Sequence, residues 1–242
     1  MEIVVTPRYQ LQLMPDFPLP GPNNVSWIRC AEDEVEDMIS EARATAAARN
    51  LPLAFILDPD TRPADLGERL LAMGLTAEDD GDKNAVMVLP ATAHLEAAHV
   101  DGLVIQSGLA DLESFTSAER VAEEAFGDVP FGAPSPIDAQ RERRFNNHRA
   151  TPGRHIVLAT VDGVPAGSGT MTVFAPDGAR MNGGAVRPQF RGRGVYRAMV
   201  AARLQIARET GAAGLFVWGG HMSRPILAGL GFEAVSWRQF YR

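Results

Sequence analysis

The stretch Val186-Arg187-Pro188-Gln189-Phe190-Arg191-Gly192-Arg193-Gly194-Val195-Tyr196 constrains this chain more than any other. A β-branched, glycine-preceded run enters a turn with two glycines two apart, and an amphipathic stretch begins at once behind it, which reads as strand, tight turn and helix N-terminus. Gly192 and Gly194 let the backbone take a positive φ or come close to a ligand. The orphan N–H groups of the helix's first turn then point at whatever sits there, with the positive end of the helix dipole behind them. Such a turn suits a phosphate or pyrophosphate. Arg187, Arg191, Arg193 and Arg197 are expected to add mobile positive charge around it.

Missing residues narrow the choice of ligand. A dinucleotide fingerprint needs a third glycine, but Arg197 stands there, and Glu209, the acid at a comparable distance, falls in or at the end of the same helix. A P-loop needs Gly-Lys-Ser/Thr, and the chain's single lysine is Lys83. Charge also points to the C-terminal half. Residues 1–98 hold 17 Asp/Glu against 7 Lys/Arg, a net of −10, whereas residues 99–242 hold 13 against 16, a net of +3. An anionic cofactor therefore belongs in the second half, and the overall charge of −7 argues against nucleic acid.

Around the glycine turn the order of elements is regular. A strand at 103–106, a helix at 111–125 with Leu112, Phe115, Val121 and Ala125 on one face, a proline- and glycine-rich loop at 126–136 and a basic helix at 137–147 come first. Strands at 155–161, 164–174 and 179–186 follow, joined by turns at Asp162-Gly163 and Pro176-Asp177-Gly178. The helix behind the glycine turn carries Val195, Met199, Ala202 and Ile206 as a core stripe, with Arg197, Arg203 and Arg208 expected to face water. A strand at 214–218, a short helix at 223–230 and closing strands at 232–241 complete the order.

Gln189-x-x-Gly192-x-Gly194 resembles the Q/R-x-x-G-x-G/A pyrophosphate loop of the GCN5-related N-acetyltransferases, the GNAT superfamily. The hairpin approach to it, Asp162-Gly163-Val164-Pro165 and the terminal Leu230-Gly231-Phe232 fit the same pattern. The resemblance implies an α/β (α+β) GNAT fold: a mixed central sheet with helices on both faces, spanning residues 99–242. It also implies direct transfer of an acyl group from acetyl-CoA, as co-substrate, to the amine of a small molecule. Family geometry assigns the pyrophosphate to Gln189 and to the N–H groups of Arg191, Gly192, Arg193, Gly194, Val195 and Tyr196. It assigns the acyl or pantetheine part to the N–H of Ala185 or Val186, at a bulge that Asn182-Gly183-Gly184 suits.

Residues 1–98 read as a proline-rich irregular arm over 1–25, then strand, helix at 32–49, strand at 52–57, helix at 62–73 ended by Gly74, and strand at 84–89. Thr61-Arg62-Pro63 with Gly74-Leu75 parallels Ser223-Arg224-Pro225 with Gly231-Phe232. Where a glycine loop should stand, this half has Ala31-Glu32-Asp33-Glu34, three acids that would repel a pyrophosphate. The half resembles a degenerate GNAT-like domain of a tandem GNAT protein, so one cofactor site is expected.

The usual acid of the family is absent. Gly220 and Leu227 stand where many members have asparagine and tyrosine, which leaves Tyr196, His221 and Tyr241 as catalytic candidates. Glu123 and Glu124, near the loop that overhangs the acceptor in the family, are candidates for binding a cationic acceptor. The five scattered histidines show no metal-ligand spacing, and Cys30 stands alone. No apolar run approaches the ~20 residues of a membrane span and the first residues lack a signal-peptide pattern, so cytoplasmic location without a membrane partner is expected. A homodimer is left open. The alternative to an enzyme is a non-catalytic acyl-CoA-binding regulatory or sensor module of the same fold.

Overall fold

The computed structural model describes residues 2–15, 21–78, 83–126 and 129–242; Pro18 and Pro20 of the arm and Gly127 of the proline-rich loop lie outside them. The chain forms two compact units. The first comprises Met1–Met87, Trp218–Leu227 and Ala234–Arg242, and the second comprises Val88–Val217 and Ala228–Glu233. The closing segment of the chain therefore groups with the first unit.

In the first unit, β1 (Glu2–Val5), β2 (Gln10–Leu13), β3 (Asn24–Ser26) and β4 (Ala54–Leu57) lie side by side. β1–β2 and β2–β3 are antiparallel and β3–β4 parallel. The arm expected to be irregular thus holds two strands, because Leu11 and Leu13 alternate with Gln10 and Gln12 and bury completely against the core. Helices α1 (Val35–Ala47) and α2 (Leu66–Ala72) close that core, which contains Val25, Ile28, Met38, Ile39, Phe55 and Leu70. Burying each such side chain stabilises by about 1.5–3 kcal/mol. A single closing strand, β11 (Glu233–Tyr241), pairs antiparallel with β4 through Gln239↔Leu57 and Phe240↔Ile56. β5 (Asn84–Pro90) carries the chain into the second unit.

The second unit begins with β6 (Leu103–Ser107), α3 (Leu112–Phe126) and α4 (Arg141–Ala150). β7 (Arg154–Val161), β8 (Val164–Phe174) and β9 (Gly178–Val186) follow as an antiparallel meander, then α5 (Val195–Glu209) and β10 (Gly214–Gly219), whose last two residues group with the first unit, as do Arg224–Leu227 of α6 (Arg224–Gly229). Asp162 and Gly163 take φ of 51° and 78° between Val161 and Val164, the left-handed pair that a two-residue hairpin needs. Alternation along β7 then makes two faces. Ile156 and Leu158 pack with Phe115, Ala118 and Phe145 of α3 and α4, while Val157, Ala159 and Val161 pack with Val195 and Met199 of α5.

α5 sits very close to the sheet, and glycines allow it. A Cβ at Gly167 would lie 2.9 Å from Met199 Cε, one at Gly169 would lie 2.9 Å from Arg203 Nη1, and one at Gly184 would lie 2.7 Å from Tyr196 Cε2. The buried stripe is rotated from the expected one. Val195, Ala198, Met199, Val200, Arg203, Leu204 and Ala207 are buried, and Ala202 and Ile206 only partly. Arg203, expected in water, is 1% exposed. On α3 the buried face is Ser114, Phe115, Ala118 and Val121, and Leu112 is exposed.

Arg141 fastens α4 to α3. Its guanidinium meets Asp138 Oδ1 at 2.6 Å, Glu123 Oε2 at 2.9 Å and Glu119 Oε2 at 3.2 Å, and its side chain is 6% exposed. Removing this cation leaves Glu123 without an ion-pair partner among the described residues, while Glu119 keeps Arg144 and Asp138 keeps Arg120. Arg141→Met is expected to lower stability by about 3–5 kcal/mol, read from urea unfolding curves.

Candidate active site

β9 pairs with β8 along its whole length but with β10 only through Ala179↔Leu215 and Arg180↔Phe216. Beyond Arg180 no further β9–β10 pair is registered, and that edge of β9 leaves the ladder. On the other edge the register with β8 jumps between Gly169↔Gly184 and Thr170↔Asn182, so Gly183 is the extra residue of a bulge. Gly183 takes φ of 47°, and no heavy atom lies within 4 Å of where its Cβ would be. The bulge expected at Asn182-Gly183-Gly184 is present. Ala185 and Val186 follow it, opposite Ser168 and Gly167.

From β9 the chain passes through a single 3-10 turn, Pro188–Phe190, with Phe190 buried beneath it. Gly192 has φ of 74° and open space at its Cβ position. Gly194, with φ of 89°, is the N-cap of α5 and supplies no side-chain cap, so the helix's leading N–H groups carry no such partner. A Cβ at Gly194 would stand 2.6 Å from Ala98 Cβ, so this position requires glycine on two grounds. The turn therefore has what a pyrophosphate needs: uncapped N–H donors, a dipole end and a cradle without side chains.

The arginines around the turn are less mobile than expected. Arg187 is buried, donates to Glu124 Oε2 at 2.5 Å and to Pro165 O at 2.9 Å, and lies 3.9 Å from the Phe131 ring centroid. Arg197 donates to Glu96 O, and Arg191 to Val186 O. Arg193 remains exposed with its guanidinium over Phe190. The acidic candidates are engaged too: Glu124 holds Arg187, and Glu123 holds Arg141 and accepts from Ser135 Oγ at 3.0 Å. A cationic acceptor at either would have to displace a guanidinium.

Of the catalytic candidates, Tyr196 stands in the same unit as the bulge and the turn, with its ring against Gly184 and 6.0 Å from the Arg203 guanidinium. Burial pushes Arg203 below its usual pKa, and Tyr196 counteracts the shift. His221 is exposed on the segment 218–227 of the first unit. Tyr241 packs into the first unit's core, its hydroxyl 2.5 Å from where a Cβ at Gly67 would be, and burial raises its pKa. An open groove of 710 Å³ runs along α3 past Leu112, Glu113, Thr116, Arg120 and Phe131, apart from the glycine turn.

Residues 118–227 match the model of the acetyltransferase (GNAT) family. Among solved structures, a GCN5-related N-acetyltransferase from Kribbella flavida is similar over 99% of this chain and 88% of its own, at 19% identity and a TM-score of 0.72. A tandem GNAT protein from the clavulanic acid biosynthesis pathway is similar over 96% and 77%, at 18% identity and a TM-score of 0.66. A functionally unknown conserved protein from Staphylococcus epidermidis covers 98% and 91%, at 13% identity and a TM-score of 0.73. Comparison with curated proteins finds no match. Residues 118–227 thus match the GNAT family model, and the chain as a whole shares the fold of GNAT structures, a tandem GNAT protein among them. Among the described residues no helix is long and apolar enough to cross a membrane.

Sequence reading missed a polar row on the α3–α4 face of the sheet. Arg154, Thr172 and Arg180 are cross-strand partners on β7, β8 and β9, and His148 of α4 lies near Arg154 with its ring 5.4 Å from Phe115. Burial, then the charges of Arg154 and Arg144, lower the His148 pKa to about 4. An unfolded histidine titrates near 6.5. Between those values the unfolded chain binds the extra proton, so this part of the stability is complete above pH ~6.5 and is lost as pH falls toward 4. The melting temperature of wild type should therefore drop more steeply from pH 7 to 4.5 than that of His148→Gln; equal slopes would contradict the burial of a neutral imidazole.

Proposed function

We propose that the protein is a cytoplasmic, acetyl-CoA-dependent N-acetyltransferase that moves an acyl group to the amine of a small molecule by direct transfer. The observation that carries this reading is the edge of β9 left unpaired with β10 beyond Arg180, with the Gly183 bulge on its other edge and the uncapped glycine turn at its end. Acetyl-CoA would supply a thioester, whose transfer needs a donor at the carbonyl oxygen, a neutral amine and a proton for the departing thiolate.

The N–H groups of Arg191 to Tyr196, with Gln189 alongside, are assigned to the pyrophosphate; the family match and the open space at Gly192 support this. The N–H groups of Ala185 and Val186, on the edge that β10 has left, are assigned to the acyl and pantetheine part. Tyr196 is assigned the proton donor's role, since of the three candidates it alone shares a unit with the bulge and the turn. Tyr241 is assigned to the first unit's core, and His221, exposed on that unit's segment 218–227, is given no role. The first unit is assigned as scaffold without a cofactor site. At the start of α1 its own Glu34 carboxylate accepts from Ala31 N at 2.9 Å, with Glu32 and Asp33 beside it.

One observation favours a second reading, a non-catalytic acyl-CoA-binding sensor: Leu227, where many members have the tyrosine acid, is a fully buried core side chain. Release of free CoA thiol from acetyl-CoA with a panel of amines separates the two. Thiol release with at least one amine is expected; a rise in melting temperature with acetyl-CoA but no turnover on any amine would give the second reading. Gly194→Val, forced against Ala98, should abolish the acetyl-CoA-dependent rise, and a retained rise would remove the turn from the site. Tyr196→Phe should lower kcat by about 100-fold or more with little change in KM for acetyl-CoA, and an unchanged kcat would reassign the proton donor.

A further inference from the structure

The row on the α3–α4 face holds buried polar atoms without a partner. Arg154 Nε, Thr172 Oγ1 and His148 Nδ1 are all buried and have no hydrogen-bond partner among the described residues. Thr172 is 6% exposed and stands directly opposite Arg154 in the β7–β8 register. Arg180, its partner across β8–β9, adds a second guanidinium, and burial together with that charge pulls Arg154 below its usual pKa. Near the row the other charged group on α4 that bears on His148 is Arg144, a cation already paired with Glu119 at 2.6 Å. Desolvated donors and like charges gathered in one place are unfavourable unless an anion completes them. Arg141 and Arg187 of this unit, by contrast, are completed by Glu119, Glu123 and Glu124, while Arg203 is buried against Tyr196 with Nη2 unpartnered.

Position gives the row a role. Arg180 and Phe216 form the last registered pair of β9 and β10, and Asn182 at the edge of the bulge is two residues further along β9, on the same face as Arg180. The row thus reaches from α4 to where that edge of β9 leaves the ladder.

We propose that Arg154, Thr172 and His148, with Arg180, bind an oxyanion carried by the amine acceptor, a carboxylate or a phosphate. The acceptor class is then an amine bearing its own negative charge, such as an amino acid or a phosphorylated amine. This rests on the acetyltransferase reading for its role, and on the row alone for the binding.

Two measurements on the full chain test it. Titration of acetate and of inorganic phosphate by calorimetry, with Arg154→Met and Thr172→Val beside wild type, reads the anion site without turnover. Saturable binding of at least one anion is expected in wild type, weakened about 10- to 100-fold in both variants, with acetyl-CoA binding unchanged. Stronger binding of acetate or of phosphate decides between the two anions. No saturable binding, or equal binding in wild type and in a folded Thr172→Val, overturns the proposal. Thiol release is then compared for lysine against 1,5-diaminopentane and for ethanolamine phosphate against ethanolamine. The charged member of a pair should have a kcat/KM about 10- to 100-fold higher, through KM, and Arg154→Met should erase the difference. Equal use of both members in both pairs removes the anion from acceptor recognition. Absence of turnover together with intact anion binding sinks the acetyltransferase reading but not the site.

Discussion

The second unit depends on the close approach of α5 to β8 and β9. Three glycines, Gly167, Gly169 and Gly184, remove the side chains that would hold the helix away, and Met199, Arg203 and Tyr196 fill the space they leave. A helix lowered this far begins just past the end of β9, where its bare N-terminus can serve the turn. Gly184 belongs to both devices, since it admits Tyr196 and immediately follows the bulge at Gly183. Packing and site are thus one arrangement, and a side chain at Gly184 would disturb both.

What could be read in the sequence was what local chemistry decides. The hairpin at Asp162-Gly163, the ends of β7, β8 and β9, and the bulge each follow from residues within a few positions of one another. The course of buried charge could not be read. Drawn through Val195, Met199, Ala202 and Ile206, the helical stripe leaves Arg203 in water; the glycine-lined sheet rotates that stripe and takes Arg203 inside. A signal was available, because glycines alternating along a strand leave room for a large residue on the facing helix. Arg187 looked mobile for a similar reason: its partner Glu124 is 63 positions away in sequence. The strands at Glu2–Val5 and Gln10–Leu13 were hidden by the prolines around them, although Gln10-Leu11-Gln12-Leu13 carries a two-residue period.

Arginine has three different uses in this unit. Arg141 and Arg187 meet carboxylates and fasten elements together. Arg203 is buried against an aromatic ring and the Met199 carbonyl, with Nη2 unsatisfied, where its length fills the space above two glycines. Arg154 differs from both: it lies on the opposite face of the sheet, beside an imidazole held neutral by burial. Charge count alone would treat these residues alike, yet only the last gathers unsatisfied donors from three elements, α4, β7 and β8.

Two parallel crossovers differ at their helix starts. In each, a strand leads through a turn into a helix and on to a parallel strand: β3–α1–β4 in the first unit and β9–α5–β10 in the second. A helix N-terminus can be satisfied by its own side chains or left open for an anion. α1 takes the first course, preceded by Glu32, Asp33 and Glu34 and followed by Glu36 and Asp37, so its dipole is already compensated. α5 takes the second, entered through two left-handed glycines with no acid in its first turn. Of the two starts, only the second leaves donors for a ligand. The acids before α1 therefore compensate one helix dipole and, by the same charge, would repel a pyrophosphate there.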